Sequence, residues 1–347
     1  MSETELGKNE SLDGGLGRRE LLAYSAAFGT TFLAAQGLVN NGEAADANST
    51  TVRSRPTKRY DMKKSINMWA FPYPDKWSLR ESLELAKDAG FDGVEINFAL
   101  EGEFSAESSD RDIKEIGRLA ERIGIEISGV CSFLFWPYSM THNDSKRRSR
   151  GVELASRMID AARLLGTENL LVVPGAVYAP WIEDFDPVAN DVCDRRAREA
   201  VRHLLPQAEK AGVFLNMENI FANGFLFSPQ EMVEFVDSFS SDHVQIHFDT
   251  GNIMHYQFPE HWVPMLGKRI KNIHFKEWDK RTQEFNLHTF RTLLDGTTNW
   301  PAVIDELDKI GYRGYLTFEY FHPFNHYPEV LIYQTSEALD WMLGRRA

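Results

Sequence analysis

Along most of the chain two patterns of apolar and polar positions take turns. A stretch with apolar residues at every third or fourth position closes on a glycine, and a short, nearly continuous apolar run follows at once. The pair recurs as LAKDAG then FDGVEINF, LAERIG then IEISGVCSF, ARLLG then TENLLVVPG, AEKAG then VFLNMEN, and LDKIG then YRGYLTFEY. Gly90, Gly124, Gly166, Gly212 and Gly311 stand where a helix ends and the chain needs a left-handed residue to leave it. Two starts are also signalled. Ser78-Leu79-Arg80-Glu81 has the spacing of a capping box, and Ser228-Pro229-Gln230-Glu231 adds a proline at the first helical position.

With 65–71, Val244–Asp249 and Ile270–Phe275, the apolar runs number eight, each separated by enough chain for a crossover helix. Their continuity suits strands covered on both faces. The pattern predicts the α/β class and a single closed (β/α)8 barrel of the TIM type over 63–345. No Gly-x-Gly-x-x-Gly follows the first strand, which removes the main cue for an open dinucleotide-binding sheet.

The first residues do not share the repeat. Gly17-Arg18-Arg19-Glu20-Leu21-Leu22 leads into a weakly apolar stretch at 21–38, and Ala45-Asp46-Ala47 offers small residues at the positions a signal peptidase reads. Residues 1–47 therefore resemble a twin-arginine-type signal peptide, with Leu22 where that pattern usually has Phe. The stretch is short and moderately apolar, so the expectation is cleavage, a periplasmic location and no stable membrane insertion after processing. Residues 48–62, polar and carrying Pro56, read as a linker.

Composition narrows the function. With 347 residues, 43% of them hydrophobic, the chain can bury one large core. A net charge of −13 argues against nucleic acid, whose phosphates require clustered cations, and the basic run at 146–150 is local. A homo-oligomer is compatible with the sequence. Cys131 and Cys193 fit no metal spacing, and Cys131 falls in an apolar run as a buried thiol would.

In a barrel of this kind the C-terminal strand ends face the active site. Four consecutive strands, the fifth to the eighth, end on groups able to coordinate or move protons: Glu218 in VFLNMEN, Asp249 in VQIHFDTGN, His274 in KNIHFKEWD and Glu319 in YLTFEYF. Three carboxylates at one side of a mouth repel one another, and a divalent cation resolves the repulsion. One imidazole and three carboxylates suit one divalent ion, Mn²⁺ first, then Mg²⁺, Co²⁺ or Zn²⁺.

The phrases SPQEMVEFVDSF, FDTGNI, PEHWVPMLGKRIKNIHFKE and NWPAVIDELDKIGYRGYLTFEYF carry a family resemblance over 65–321. The region resembles the xylose-isomerase-like TIM-barrel superfamily of sugar and sugar-phosphate isomerases and epimerases, with ketose 3-epimerases nearest in pattern. The resemblance implies a single metal held by Glu218, Asp249, His274 and Glu319. It also implies proton transfer next to a carbonyl through a cis-enediolate, with Glu218 and Glu319 as the catalytic acid and base on opposite faces of a small sugar or sugar derivative. Family-two apurinic endonucleases share the barrel, but this chain has Val173 before Pro174-Gly175 and Asn252 where those enzymes place ligand histidines.

Glu95, Asn252 and Lys276 are candidate substrate-binding groups, and Trp69 and Trp136 candidates to stack on a sugar face. Lys276 lies two residues past His274 and so shares its face of the strand. Two other readings stand beside the isomerase: a lyase or dehydratase acting on a keto-sugar through the same enediolate, and a non-catalytic sugar-binding barrel.

Overall fold

Helix ends and strand starts fall where the glycines put them. In this computed structural model, which describes residues 58–346 except Ala222, the five repeat glycines all have φ between 68° and 87°. A Cβ is strained at such angles, which is why the position recurs as glycine. Both expected capping boxes form, with Ser78 and Ser228 accepting the backbone N–H of Glu81 and Glu231. The expected signal at 1–47, and 48–57 of the expected linker, lie outside the described residues.

The first half of the barrel runs β1 (Lys63–Asn67), α1 (Leu79–Asp88), β2 (Gly93–Asn97), α2 (Asp110–Ile123), β3 (Glu126–Cys131), α3 (Ser145–Leu165), β4 (Asn169–Val172) and α4 (Asn190–Ala211). The second runs β5 (Phe214–Glu218), α5 (Pro229–Asp237), β6 (Val244–Asp249), α6 (Pro259–Leu266), β7 (Ile270–Phe275), α7 (Trp300–Lys309), β8 (Tyr315–Phe318) and α8 (Pro328–Met342). The eight strands are parallel and close in sequence order, with Lys63 of β1 opposite Tyr315 of β8. A short antiparallel pair, Glu277–Trp278 with Phe290–Arg291, lies in the β7–β8 connection.

Each strand alternates between two very different surroundings. Outward residues such as Ile66, Val94, Met217, Phe248 and Phe275 are buried under the helices; Phe248 stacks on Trp262 of α6 and Phe275 on Trp300 of α7. The barrel interior, by contrast, is filled with polar groups. Ser65, Asn67, Glu95, Asn216, His247, Asn272, His274 and Thr317 are all at most 1% exposed.

Such groups cost least in a core when they satisfy one another. Ser65 pairs with Ser128 at 2.6 Å, Asn169 donates to the Ser128 carbonyl at 2.9 Å, and Asn216 donates to Asn169 at 3.1 Å. Part of the lower interior thus forms a hydrogen-bonded plug beneath the mouth, while Asn272, His247 and Thr317 lie beside it without side-chain partners.

Strand β1 ends four residues before the expected 71. The Asn67 side chain accepts the Trp69 N–H at 2.8 Å and turns the chain into a 3-10 turn at Met68–Ala70. A side chain that bonds its own backbone two residues on stops a strand that apolarity alone would continue.

Candidate active site

Four side chains from the last four strands meet at the mouth. Glu218 ends β5, Asp249 ends β6, His274 is next to last in β7, and Glu319 follows β8. Asp249 sits opposite His274 across the β6–β7 pair, and His274 opposite Thr317 of β8, so the register itself gathers them. His274 Nδ1 lies 3.3 Å from Glu319 Oε1, 3.5 Å from Glu218 Oε1 and 3.8 Å from Asp249 Oδ2. Nδ1 is buried and has no hydrogen-bond partner.

Metal bonds of about 2.1 Å separate neighbouring donors by roughly 3.0–3.4 Å. The spacing around Nδ1 is close to that, and an orphaned ring nitrogen among three carboxylate oxygens is the donor set such an ion takes. The residues present fit a divalent cation.

Each of the two best-fixed ligands is aimed by its neighbours. Asp249 Oδ1 accepts the N–H groups of Gly251 and Asn252, both at 2.8 Å, which leaves Oδ2 to face the site. Asn219 bonds the Asp249 backbone on both sides, at 2.8 and 2.9 Å. Position 251 must be glycine because a Cβ there would come within 2.8 Å of Lys276 Cγ. His274 is fixed from below: Nε2–H donates to Glu95 Oε2 at 2.6 Å, and Asn67 donates to the same oxygen at 2.6 Å. That bond sets the tautomer that leaves the Nδ1 lone pair free.

Burial dominates the electrostatics. It raises the Glu218 carboxyl to about 7, against the hydrogen bond and charge of His274, with Glu319 and Asp249 adding to the rise. Glu319 is likewise raised by burial, opposed by the charges of His274 and Lys276. Asp249 is held down at about 2: burial works against its charge, but Lys276 and His274 outweigh it. Burial also disfavours a charged His274, yet the carboxylates of Glu319 and Glu95 push its proton affinity well above the usual range. A metal ion satisfies those carboxylates in place of that proton.

Glu95 is the correction to the expected set. It was expected to meet sugar hydroxyls, but it is fully buried beneath His274, with one oxygen taken by His274 and Asn67. Glu95 stands two residues before the end of β2 at Asn97, and its buried side chain meets His274 and Asn67.

Lys276 is where the spacing puts it. Its ammonium is 2.8 Å from Asp249 Oδ2, in contact with Glu319, and 3.2 Å from Asn252 Oδ1, which it bonds. Trp69 borders this group through Phe321, its ring 5.3 Å away, and Phe321 lies 4.9 Å from the ammonium. Trp136 packs edge-on against Trp181 at 5.1 Å.

Sequence reasoning missed His247, whose ring meets that of His274 edge-on at 4.1 Å and which burial holds neutral, its pKa pushed down to about 3. It also missed Asn67 and Asn219. Two-residue alternation back from Asp249 would have found His247.

The chain is thus a closed eightfold barrel whose C-terminal mouth gathers three carboxylates and an imidazole. Residues 83–342 match the xylose isomerase-like TIM barrel family, and the chain belongs to that family. Relatives and neighbours of known activity are sugar epimerases. L-ribulose 3-epimerase of Mesorhizobium japonicum is 26% identical over 252 residues, covering 70% of this chain and 75% of that one. A solved L-ribulose 3-epimerase superposes with a TM-score of 0.66 at 19% identity, over 82% of this chain and 96% of that one. The crystal structure of IolI protein with a bound zinc atom gives 0.66 at 15% identity, over 82% and 99%.

Proposed function

We propose that the protein is a divalent-metal-dependent sugar epimerase or isomerase, ketose 3-epimerase-like, that moves a proton on the carbon next to a carbonyl. The observation that carries this is the placement of Glu218 and Glu319 at 3.5 and 3.3 Å from the unpartnered His274 Nδ1. On opposite faces of a sugar carbon the two would work as a pair in which one is ionised and the other carries a proton. Epimerisation needs that state: one carboxylate takes the proton from one face of the sugar carbon, and the other, already protonated, delivers its own to the opposite face.

Glu218, Asp249, His274 and Glu319 would hold a divalent ion, Mn²⁺ by ligand type, whose chemistry there would be Lewis-acid polarisation of the sugar carbonyl. Lys276 adds a buried positive charge beside Glu319, placed to offset the negative charge of the enediolate. Asn252 holds that ammonium toward the site. We also propose export by the twin-arginine-type signal to the periplasm, checked by the N-terminal residue of protein recovered from that compartment.

The direct test is incubation of the Mn²⁺-loaded protein with a panel of ketoses in D₂O. Deuterium is expected at the carbon next to the carbonyl, together with the epimeric sugar. Binding without exchange on any member of a broad panel would leave a non-catalytic barrel, and unsaturated products would turn the reading to a lyase.

Glu95 acts through His274. Glu95→Gln removes the charge behind the imidazole while keeping a hydrogen-bond acceptor for it. Mn²⁺ affinity, read by calorimetry, is expected to fall about 10- to 100-fold. An unchanged affinity would show that Glu95 serves only the barrel's packing.

A further inference from the structure

Beside the carboxylate cluster, three loops build a second concavity of a different chemistry. Tyr178 and Trp181 come from the β4–α4 loop, Phe221 and Phe227 from the β5–α5 loop, and Phe285 and Leu287 from the β7–β8 connection. Together they line a crevice of about 520 Å³, and no charged side chain takes part in it. Five of the six are 41–47% exposed, an unusual density of apolar surface for one spot.

A row of packed rings joins the crevice wall to the candidate active site. Lys276 Nζ lies 4.7 Å from the Phe290 ring, Phe290 is 5.6 Å from Phe221, and Phe221 stacks on Phe285 at 4.4 Å and 19°.

We propose that this crevice is a second subsite, which holds a planar apolar group carried by the substrate, so that the substrate is an aryl-bearing keto-sugar derivative, such as an aryl glycoside with a ketone on its sugar ring, rather than a free or phosphorylated ketose. The proposal rests on the sugar-enzyme reading above and names its substrate class. A phosphate end would call for an arginine or lysine in the crevice wall, and there is none. A bare pentose or hexose whose carbonyl sits at the metal ligands leaves the aromatic wall unused. An aglycone ring slipping between Trp181 and Phe285 buries that wall, and the volume is in the range of small-ligand pockets. All three contributing loops follow C-terminal strand ends, where barrels of this kind place specificity.

The test titrates the Mn²⁺-loaded full chain with methyl and phenyl β-D-glucopyranoside, followed by calorimetry and by tryptophan fluorescence. The phenyl glycoside is expected to bind at least about tenfold tighter, the effect of roughly 1.4 kcal/mol of ring contact. Trp181→Ala and Phe285→Ala are each expected to bring it down to the affinity of the methyl glycoside.

Equal affinities in the parent protein, or a phenyl preference that survives both substitutions, overturns the proposal. So does a crevice that proves to be an interface between copies, recognised by a dimer that both substitutions dissociate and by the absence of any phenyl preference. The D₂O panel separates this from the enzymatic reading. Exchange on ketoses without a phenyl preference sinks the subsite alone. A phenyl preference lost in both variants, with no exchange on any ketose, sinks the enzymatic reading and leaves the subsite.

Discussion

Glu319→Gln is expected to slow interconversion of the two epimers about a thousandfold at saturating Mn²⁺, with the folded state intact. Gln keeps the size of Glu and an oxygen for Lys276, but it can neither take nor give the proton. Saturating metal is required because Glu319 is also one of the expected ligands, and a weakened site would otherwise imitate a lost base. The two-carboxylate arrangement makes a sharper claim than lost turnover. Glu218 still faces one side of the sugar carbon in the variant, so deuterium from D₂O is expected to enter one epimer only, and Glu218→Gln is expected to leave exchange in the other. Interconversion within tenfold of the parent rate, or residual exchange in both epimers, would take Glu319 out of the proton path.

Much of this site was legible because the barrel converts sequence position into spatial position with little freedom. A residue at the end of an apolar run after a helix lies at the mouth, whatever the rest of the chain does; Glu218, Asp249, His274 and Lys276 follow that rule. Glu95 looks like another of them, yet it stands two residues before the end of β2 and is buried under His274, because the run GVEINF does not mark where the strand stops.

The polar plug was hidden for a related reason. Ser65, Ser128, Asn169 and Asn216 each look like an isolated polar residue interrupting an apolar run, and only the closed barrel shows that they face one another. The aromatic crevice was less legible still: its rings come from three loops separated by some forty to sixty residues, and loops carry no periodicity to read.

Removing the metal with a chelator is expected to abolish both exchange and interconversion, and Mn²⁺ is expected to restore them at about one ion per chain. Without the ion, three buried carboxylates share one mouth with only Lys276 and His274 to offset them, which is an expensive arrangement. The ion is therefore expected to stabilise the fold as well: at a thousand times its Kd it would add about 4.1 kcal/mol, on the order of ten degrees in Tm.

His274→Gln separates the ligand from its support. Gln retains an N–H for Glu95, which is fully buried and would be left with Asn67 alone by Ala, but it removes the Nδ1 lone pair. Mn²⁺ affinity is expected to fall by more than the about 100-fold that outer partners contribute, and the metal-induced rise in Tm to vanish while the apo protein still unfolds cooperatively. A protein that takes up no stoichiometric ion after Mn²⁺ reconstitution, or whose His274→Gln variant keeps the rise in Tm, would remove the metal from the mechanism. In that case Lys276 would be the cation that the four strand ends were built around.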